Sequence, residues 1–505
     1  MIDIVGDFHL HSKYSRAVSP QMNIPVMAEY GQKKGIDVLA TGDWTHPVWF
    51  RELRANLEEA EEGLFSVRKK SLAQPHPDPL LKGEGTQAVK FLLSVEIATI
   101  YSQNGKGRRI HQVILVPSFE TAEKVNKELI KRGFNLSSDG RPIIGLSSKN
   151  LLSLILEIDE RSLLIPAHIW TPWFGIYGQM SGFNSLSEAF EDLAPKIYGI
   201  ETGLSSDPEM NWQIDELNSR SILSFSDAHS PAKMGREATI FRLEDLSYEN
   251  IRRAIMQPSL KLDARNKKLD KEVRSLKLDI PLSSVQHQNP DSSIQSLVSN
   301  KVLYTIEFYP EEGKYHYSGH RNCNVTMTPE EQKASGGICP VCHRKVTDGV
   351  MRRVGELAQE DLRGNHKPNS AGLVWITDPK NAHPPYVKIV PLQEIISEAI
   401  GSPVASPKVK VIFDTLCKDG VSEFHVLLKL PLADIEKICL SITSKEFARQ
   451  ITDGIKKVRA EQIVIQPGYD GVFGVVRIWN EEDNKQINEY TNNPIKKEEQ
   501  IGMEF

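Results

Sequence analysis

The sequence predicts an α/β protein. Its first half reads as a parallel sheet or barrel, its middle as a small zinc-ribbon-like module, and its C-terminal part as a mainly helical domain. Three observations predict this. Short apolar runs alternate with amphipathic helical stretches over residues 1–257. A histidine or an acid closes almost every one of those runs. A His-Cys pair and a Cys-Cys pair then follow at metal-ligand spacing after residue 300.

At 505 residues the chain exceeds one ordinary domain and fits roughly two to four. Hydrophobic residues make up 40% and charged residues 25%, enough to bury sizeable cores. A net charge of -5 argues against general coating of nucleic acid but leaves room for a local basic groove. Apolar runs stay short of the ~18 residues of a membrane span, and MIDIVGDFHL lacks a signal-peptide pattern. A cytoplasmic protein with no membrane partner is therefore expected. Five cysteines do not make a disulfide framework.

The strand-like runs of residues 1–257 are IDIVGDFHLHS, IDVLATGDWTH, VKFLLSVEIA, IHQVILVPS, SLLIPAHIW, IYGIETG and SILSFSDAH. In α/β barrels the carboxyl ends of the strands share one mouth, so the polar ends of these runs are expected to meet there. Residues 71–88, rich in Pro and Gly, read as an inserted surface loop. Residues 258–300 begin with a basic run and read as a linker or insertion of low complexity. Residues 301–365 hold the Cys-bearing module. Residues 366–480 pass from strand-like YVKIVPL through helices to the strands EQIVIQPG and VFGVVRIW, and 481–505 form a polar, flexible tail.

His9 and His11 lie two apart on a predicted strand, where period two puts both on one face. Asp227 and His229 repeat that spacing. Glu96, His111 and His168 each close an apolar run, and His46 follows one in GDWTHP. Neutral imidazoles and ionised carboxylates hold divalent metals at about 2.0–2.2 Å. His9, His11, His46, Glu96, His111, His168, Asp227 and His229 are more groups than one ion requires. Two or three clustered ions (Zn, Mg or Mn) are expected, with Glu96 as the candidate bridge. Asp43 competes with His46 as the useful residue of its turn. Glu201 is either a base behind the ligands or a buried acid paired with an arginine. Asp227, Glu96, Glu201 and Asp43 are thus the candidate catalytic carboxylates.

DFHLHSKYS, GDWTH, the isolated Glu96, PAH at 166–168 and SDAH at 226–229 resemble the motif series of the polymerase-and-histidinol-phosphatase (PHP) superfamily. That resemblance implies a distorted (β/α) barrel whose clustered metals hydrolyse phosphoesters. Many members carry a further His or Asp shortly after HxH, whereas SKYSRA supplies none. Within the superfamily, PAHIWTPWFGIYG, IETGLSSDPEMNW, SDAHSPAKMGREAT and IEFYPEEGKYHYSGH resemble endonuclease Q. The likeness spans most of the chain except 71–88, 258–300 and the final tail. It implies a DNA repair endonuclease that cuts 5′ of deaminated bases (uracil, hypoxanthine, xanthine) or abasic sites, leaving a 3′-hydroxyl and a 5′-phosphate. The partner so implied is single- or double-stranded DNA with a damaged base.

A nuclease that reads a base inside a duplex must turn it out onto aromatic faces. Trp170, Trp173, Phe174 and Tyr177 directly follow His168, and Trp44 and Trp49 flank His46. Each ring is a candidate nucleotide contact or a piece of core. Gly175, Gly178 and Gly182 suggest a loop that approaches a ligand closely. Lys233 and Arg236 are candidate phosphate contacts or parts of a solvated loop.

His320-x2-Cys323 and Cys339-x2-Cys342 are separated by 15 residues. Three thiolates and an imidazole favour one closed, structural zinc, with His343 the alternative to His320. Lys314, Arg321, Lys333, Arg344, Lys345, Arg352 and Arg353 offer local positive charge for DNA. Cys417 and Cys439 read as buried fillers. Gln500, Met503 and Phe505 resemble the short peptide by which bacterial repair proteins dock on the β sliding clamp. The alternatives to the nuclease are a PHP-type small-molecule phosphomonoesterase and a DNA-binding scaffold without activity.

Overall fold

The computed structural model describes residues 1–69, 88–257 and 300–480. The inserted loop, the linker and the tail with Gln500, Met503 and Phe505 lie outside the described residues, apart from Ala88 at the end of the loop and Asn300 at the end of the linker.

The first half carries eleven strands: β1 (Ile2–Asp7), β2 (Val38–Ala40), β3 (Leu57–Glu61), β4 (Leu64–Val67), β5 (Lys90–Gln103), β6 (Lys106–Val116), β7 (Ile143–Ile144), β8 (Leu163–Pro166), β9 (Gly199–Glu201), β10 (Ser221–Leu223) and β11 (Ala238–Leu243). β12 (Lys301–Glu307) follows the linker. Side chains of Asn23, Ser118, Ser147 and Ser247 cap the helices Ile24–Lys34, Phe119–Lys131, Ser148–Ile158 and Tyr248–Met256, each satisfying an amide of the first turn.

β1, β2 and β5 pair in parallel, as the alternating pattern predicts. The sheet is nevertheless mixed, because β1–β11, β11–β12, β5–β6 and β6–β8 are antiparallel. β5 and β6 form one long hairpin. Its turn is Asn104-Gly105, both at positive φ (54° and 72°), which suits a tight hairpin turn. β9 and β10 form a separate parallel pair. No ladder joins β8 to β9 or β10 to β11 among the described residues. At the carboxyl rim, however, Ile169 N donates to Glu201 O at 3.1 Å, and His11 N to Ala228 O at 3.3 Å. One apolar cluster takes Ile4 from β1, Val38 from β2, Leu92 from β5, Val113 and Leu115 from β6, Leu163 and Ile165 from β8, Leu223 from β10, and Phe241 and Leu243 from β11. These strands therefore share one interior, and the ends facing the rim are held in register over it.

The domain borders expected at 301 and 366 move. β12 pairs with β11, so residues 301–307 belong to the main sheet and not to the Cys-bearing module. That module, with β13 (Ser318–His320) and β14 (Val325–Met327), is an excursion from the sheet. The chain then returns through β15 (Asn365–Pro368), β16 (Val374–Thr377) and β17 (Tyr386–Lys388), with β17 parallel to β12. An apolar run shows that a strand forms but not which sheet it joins. The helices Leu392–Ile400, Pro407–Leu416, Glu423–Leu428, Leu432–Leu440 and Lys445–Arg459 form the expected helical region, closed by the hairpin of β18 (Val464–Gln466) and β19 (Val475–Arg477). Buried Lys34 meets Glu423 at 2.7 Å and ties these helices to the first one. No described helix is long and apolar enough to cross a membrane.

Candidate metal centre

The rim brings together two groups of ligand atoms that share Glu96. His9, His11, Glu96 and Asp227 form the first, with all four atoms within 4.8 Å of one another. His11 Nε2 lies 3.1 Å from Glu96 Oε2 and 3.2 Å from Asp227 Oδ1, and His9 Nε2 lies 3.6 Å from each. Glu96, His111 and His168 form the second. Here Glu96 Oε1 stands 2.6 Å from His111 Nδ1 and 3.1 Å from His168 Nε2. One carboxylate thus turns one oxygen to each group, the arrangement of a bridging ligand.

The donor set fits cations on a physical test. His9 Nε2, His11 Nε2 and Asp227 Oδ1 are buried and have no hydrogen-bond partner among the described residues. Buried polar atoms left unpaired are costly, at about 1–3 kcal/mol each. Three of them converging on one point call for a positive ligand. The imidazoles are also oriented from behind. Glu201 receives His9 Nδ1 at 2.9 and 3.0 Å, and also the backbone N of His168 at 2.9 Å. Asp43 receives His11 Nδ1 at 3.1 Å, while Ser12 and Ser15 donate to its other oxygen. Thr171 Oγ1 sits 2.9 Å from His168 Nδ1. In each case the outer nitrogen is engaged, which leaves Nε2 free to ligate.

Electrostatics agree. Burial disfavours a charged His9, yet Glu201, Asp227 and Glu96 outweigh it and raise its pKa well above the usual value. The cage therefore attracts positive charge. Burial pushes His111 down to about 3 and His229 down to about 4, so both stay neutral, the form that binds metal. Asp43, His168 and Asp227 all have positive φ (51°, 29° and 46°), a conformation that costs non-glycine residues about 1–3 kcal/mol. The fold sustains that strain at three residues of one site.

Some expected residues fall elsewhere. His46 is not among the clustered ligands. Its Nδ1 accepts from Trp49 N at 3.4 Å, capping the helix Pro47–Asn56, and its ring stacks on Tyr14. His229 stands at the edge, its ring 4.7 Å from His11 and its Nδ1 2.8 Å from Asp227 O. Asp43 and Glu201 are fully buried behind the ligands and act on the imidazoles. Trp49, Trp170 and Tyr177 are core residues, with their polar atoms bonded to Gly42 O, Asn211 and Glu216. Of the four rings of the aromatic loop, Trp173 alone is exposed, at 38%, with the Arg109 guanidinium 5.0 Å over its ring. Phe174 packs on His111, with ring centroids 4.2 Å apart. Gly175, Gly178 and Gly182 leave room for the loop's own backbone. A Cβ on them would stand 2.5, 2.3 and 2.5 Å from loop atoms, so they serve internal packing and not ligand approach. Lys233 pairs with Glu394 at 2.6 Å, and buried Arg236 donates to Ser226 O. Arg353 also turns inward, donating to Tyr177 O, Phe183 O and Asn184 Oδ1, and so clasps the aromatic loop from the Cys-bearing module.

Sequence reading missed Arg141, whose Nη1 lies 3.0 Å from Glu96 Oε2. It sits in a loop, SSDGRP, that carries no recognisable motif.

In the module, His320, Cys323, Cys339 and Cys342 gather their ligand atoms within 4.8 Å. His320 belongs to this group, and His343 stands outside it. The knuckle closes through Cys339 N to Arg344 O at 2.8 Å and His343 N to Cys339 O at 2.9 Å. The buried apolar core here is only Met327, Cys339 and Val346.

Comparison with known proteins agrees with this architecture. Residues 391–462 match the MJ0043 C-terminal domain family. The uncharacterised protein MJ0043 of Methanocaldococcus jannaschii is 25% identical over 334 residues, 64% of this chain and 33% of that protein. The uncharacterised protein YqxK of Bacillus subtilis is 30% identical over 219 residues, 42% of this chain and 49% of that protein. The chain thus spans about a third to a half of the curated relatives it matches. The lesion-specific endonuclease PfuEndoQ from Pyrococcus furiosus superposes with a TM-score of 0.68 and 26% identity, covering 96% of this chain and 99% of that one. Endonuclease Q in complex with a 27-mer duplex substrate, with an abasic lesion at the active site, gives 0.68 and 28% over 95% and 98%. The structural neighbours of this chain are therefore endonuclease Q proteins, matched over almost its whole length.

Proposed function

We propose that this protein is a metal-dependent DNA repair endonuclease that hydrolyses the phosphodiester 5′ to a deaminated base or an abasic site. The observation that carries this reading is the pair of ligand groups joined by Glu96, on a chain with the fold of endonuclease Q. His9, His11, Glu96 and Asp227 would hold one divalent cation, and Glu96, His111 and His168 another, with His229 beside the first. Bound cations would activate water near neutral pH and neutralise charge growing on the phosphoryl oxygens. Glu201, Asp43 and Thr171 keep the imidazoles in the ligating tautomer. In the net reaction water adds to phosphorus, the P–O3′ bond breaks, and the proton lost by water ends on the departing 3′ oxygen. Trp173, next in the chain to the Phe174 that packs on His111, offers an exposed ring suited to stacking on an extruded nucleotide. The His320 cluster is assigned to one structural zinc.

The test is incision of labelled duplexes carrying one uracil, one hypoxanthine, one abasic site or no lesion, with Mg²⁺, Mn²⁺ or Zn²⁺. A single nick 5′ of the lesion is expected, lost in Asp227→Ala. Hydrolysis of p-nitrophenyl phosphate alone would instead establish the phosphomonoesterase, and lesion binding without a nick the scaffold.

A further inference from the structure

One cation of the protein stands inside the candidate metal centre. Arg141 Nη1 donates to Glu96 Oε2, the same oxygen that faces His9 and His11. Its side chain is 19% exposed. Its charge acts on Glu96, Asp227, His111 and His229, which belong to both halves of the site.

The loop that presents Arg141 is pinned on both sides. Gly140 N donates to Tyr14 O at 3.0 Å, and Thr45 Oγ1 to Gly140 O at 3.4 Å. A Cβ at residue 140 would lie 2.3 Å from Asp43 Oδ2, so this position accepts only glycine without displacing the carboxylate that orients His11. On the other side Pro142 O accepts Ala98 N at 3.0 Å, and β7 pairs with β5, the strand of Glu96. Asp139 Oδ1 holds the Arg141 amide at 3.1 Å. Backbone contacts therefore hold the loop, and the guanidinium is not needed for that purpose.

A guanidinium carries five N–H donors in a planar fork that matches phosphate geometry. Arg141 directs one side-chain hydrogen bond to Glu96, and no other protein acceptor meets its guanidinium among the described residues. A cation placed among metal ligands competes with metal for Glu96 unless it has an anion of its own to bind. We infer that Arg141 is a catalytic residue that donates to a non-bridging oxygen of the scissile phosphate and stabilises the charge growing there. This role rests on the phosphodiesterase reading above.

The test compares the full-length protein with Arg141→Gln in four measurements. These are bound metal per chain, affinity for an abasic-site duplex, single-turnover incision of that duplex, and the same incision with a single Rp or Sp phosphorothioate at the scissile position. Incision is expected to fall about 100- to 1,000-fold, as for loss of one preorganised donor to a developing oxyanion. Metal content and affinity for the duplex should stay unchanged. Sulfur at the oxygen contacted by Arg141 should slow the wild type, and that diastereomer-specific penalty should vanish in the variant. A variant that incises at the wild-type rate would overturn the role. So would loss of rate that follows loss of metal, or sulfur penalties identical in both proteins. If the wild type hydrolyses only p-nitrophenyl phosphate, the nuclease reading fails, and the ratio of wild type to Arg141→Gln on that ester decides the role of Arg141. Hydrolysis of neither substrate overturns both.

Discussion

Glu201→Gln keeps the shape of a fully buried side chain and removes its charge. The carboxylate now accepts from two donors, His9 Nδ1 on both oxygens and the backbone N of His168 on one. A glutamine has one acceptor oxygen and an NH₂ that only donates. One of the two donors then faces another donor, or His9 shifts its proton to Nε2, the atom that ligates. Loss of such an orienting partner lowers metal affinity about 10- to 100-fold. That corresponds to about 1.4–2.7 kcal/mol, close to the ~1.5–3 kcal/mol of a buried hydrogen bond to a charged group. The assay is bound metal per chain against chelator-buffered free Mn²⁺ or Zn²⁺, with single-turnover incision measured along the same series. The variant's occupancy midpoint should move to about 10- to 100-fold higher free cation, with incision restored at saturation. If Glu201 were a proton-transfer base, incision would stay low at every metal concentration. An unchanged midpoint would refute the orienting role.

Burial pushes Glu307 up to about 8, although Thr305, Thr202 and Ser224 donate to it. An unfolded glutamate titrates near ~4.3. Between these values the folded protein holds a proton that the unfolded chain releases, so Glu307's contribution is fully present below pH ~4.5 and is lost as pH rises through about 8. Glu307→Gln should flatten this slope in urea midpoints compared across pH 5, 7 and 9 (roughly the span of the titration); parallel slopes for both proteins would count against it. Cys339→Ser should remove about one zinc per chain and expose residues between β12 and β15 to limited proteolysis, because three buried side chains cannot hold that module alone. Trp170→Ala should lower stability by about 3–5 kcal/mol in chemical denaturation. Trp173→Ala should leave stability nearly unchanged while weakening lesion-duplex binding by about 1–3 kcal/mol in fluorescence anisotropy; equal effects of the two substitutions on folding would refute the contrast.

Much of the candidate site is legible from local spacing. His9-x-His11, His168 and Asp227-x-His229 follow the ends of short apolar runs, whereas Glu96 and His111 lie inside β5 and β6. Each signal needs only a strand or the few residues that follow it. His46 reads identically in sequence, but the proline after it begins a helix, and the imidazole becomes its cap. The aromatic segment 170–177 shows the same ambiguity. Trp170 finds an acceptor in Asn211, far along the chain, and goes inside, while Trp173 stays out. Arg353 reads as one more cation for DNA, yet three acceptors on the aromatic loop draw it inward.

Composition, periodicity and residue spacing thus sufficed for the α/β class, the helical C-terminal region, the place of Glu96 between two ligand groups and the gathering of four side chains in the Cys-bearing module. These depend on neighbours within a few positions or on chemistry that few residue types supply. Folding in three dimensions settled the mixed strand directions, the membership of β12 and β17 in the main sheet, the supporting parts of Asp43 and Glu201, and the entry of Arg141 into the centre. Those outcomes turn on which groups from distant segments become buried side by side, where an unpaired charge or donor must find a partner, and no local pattern records that choice.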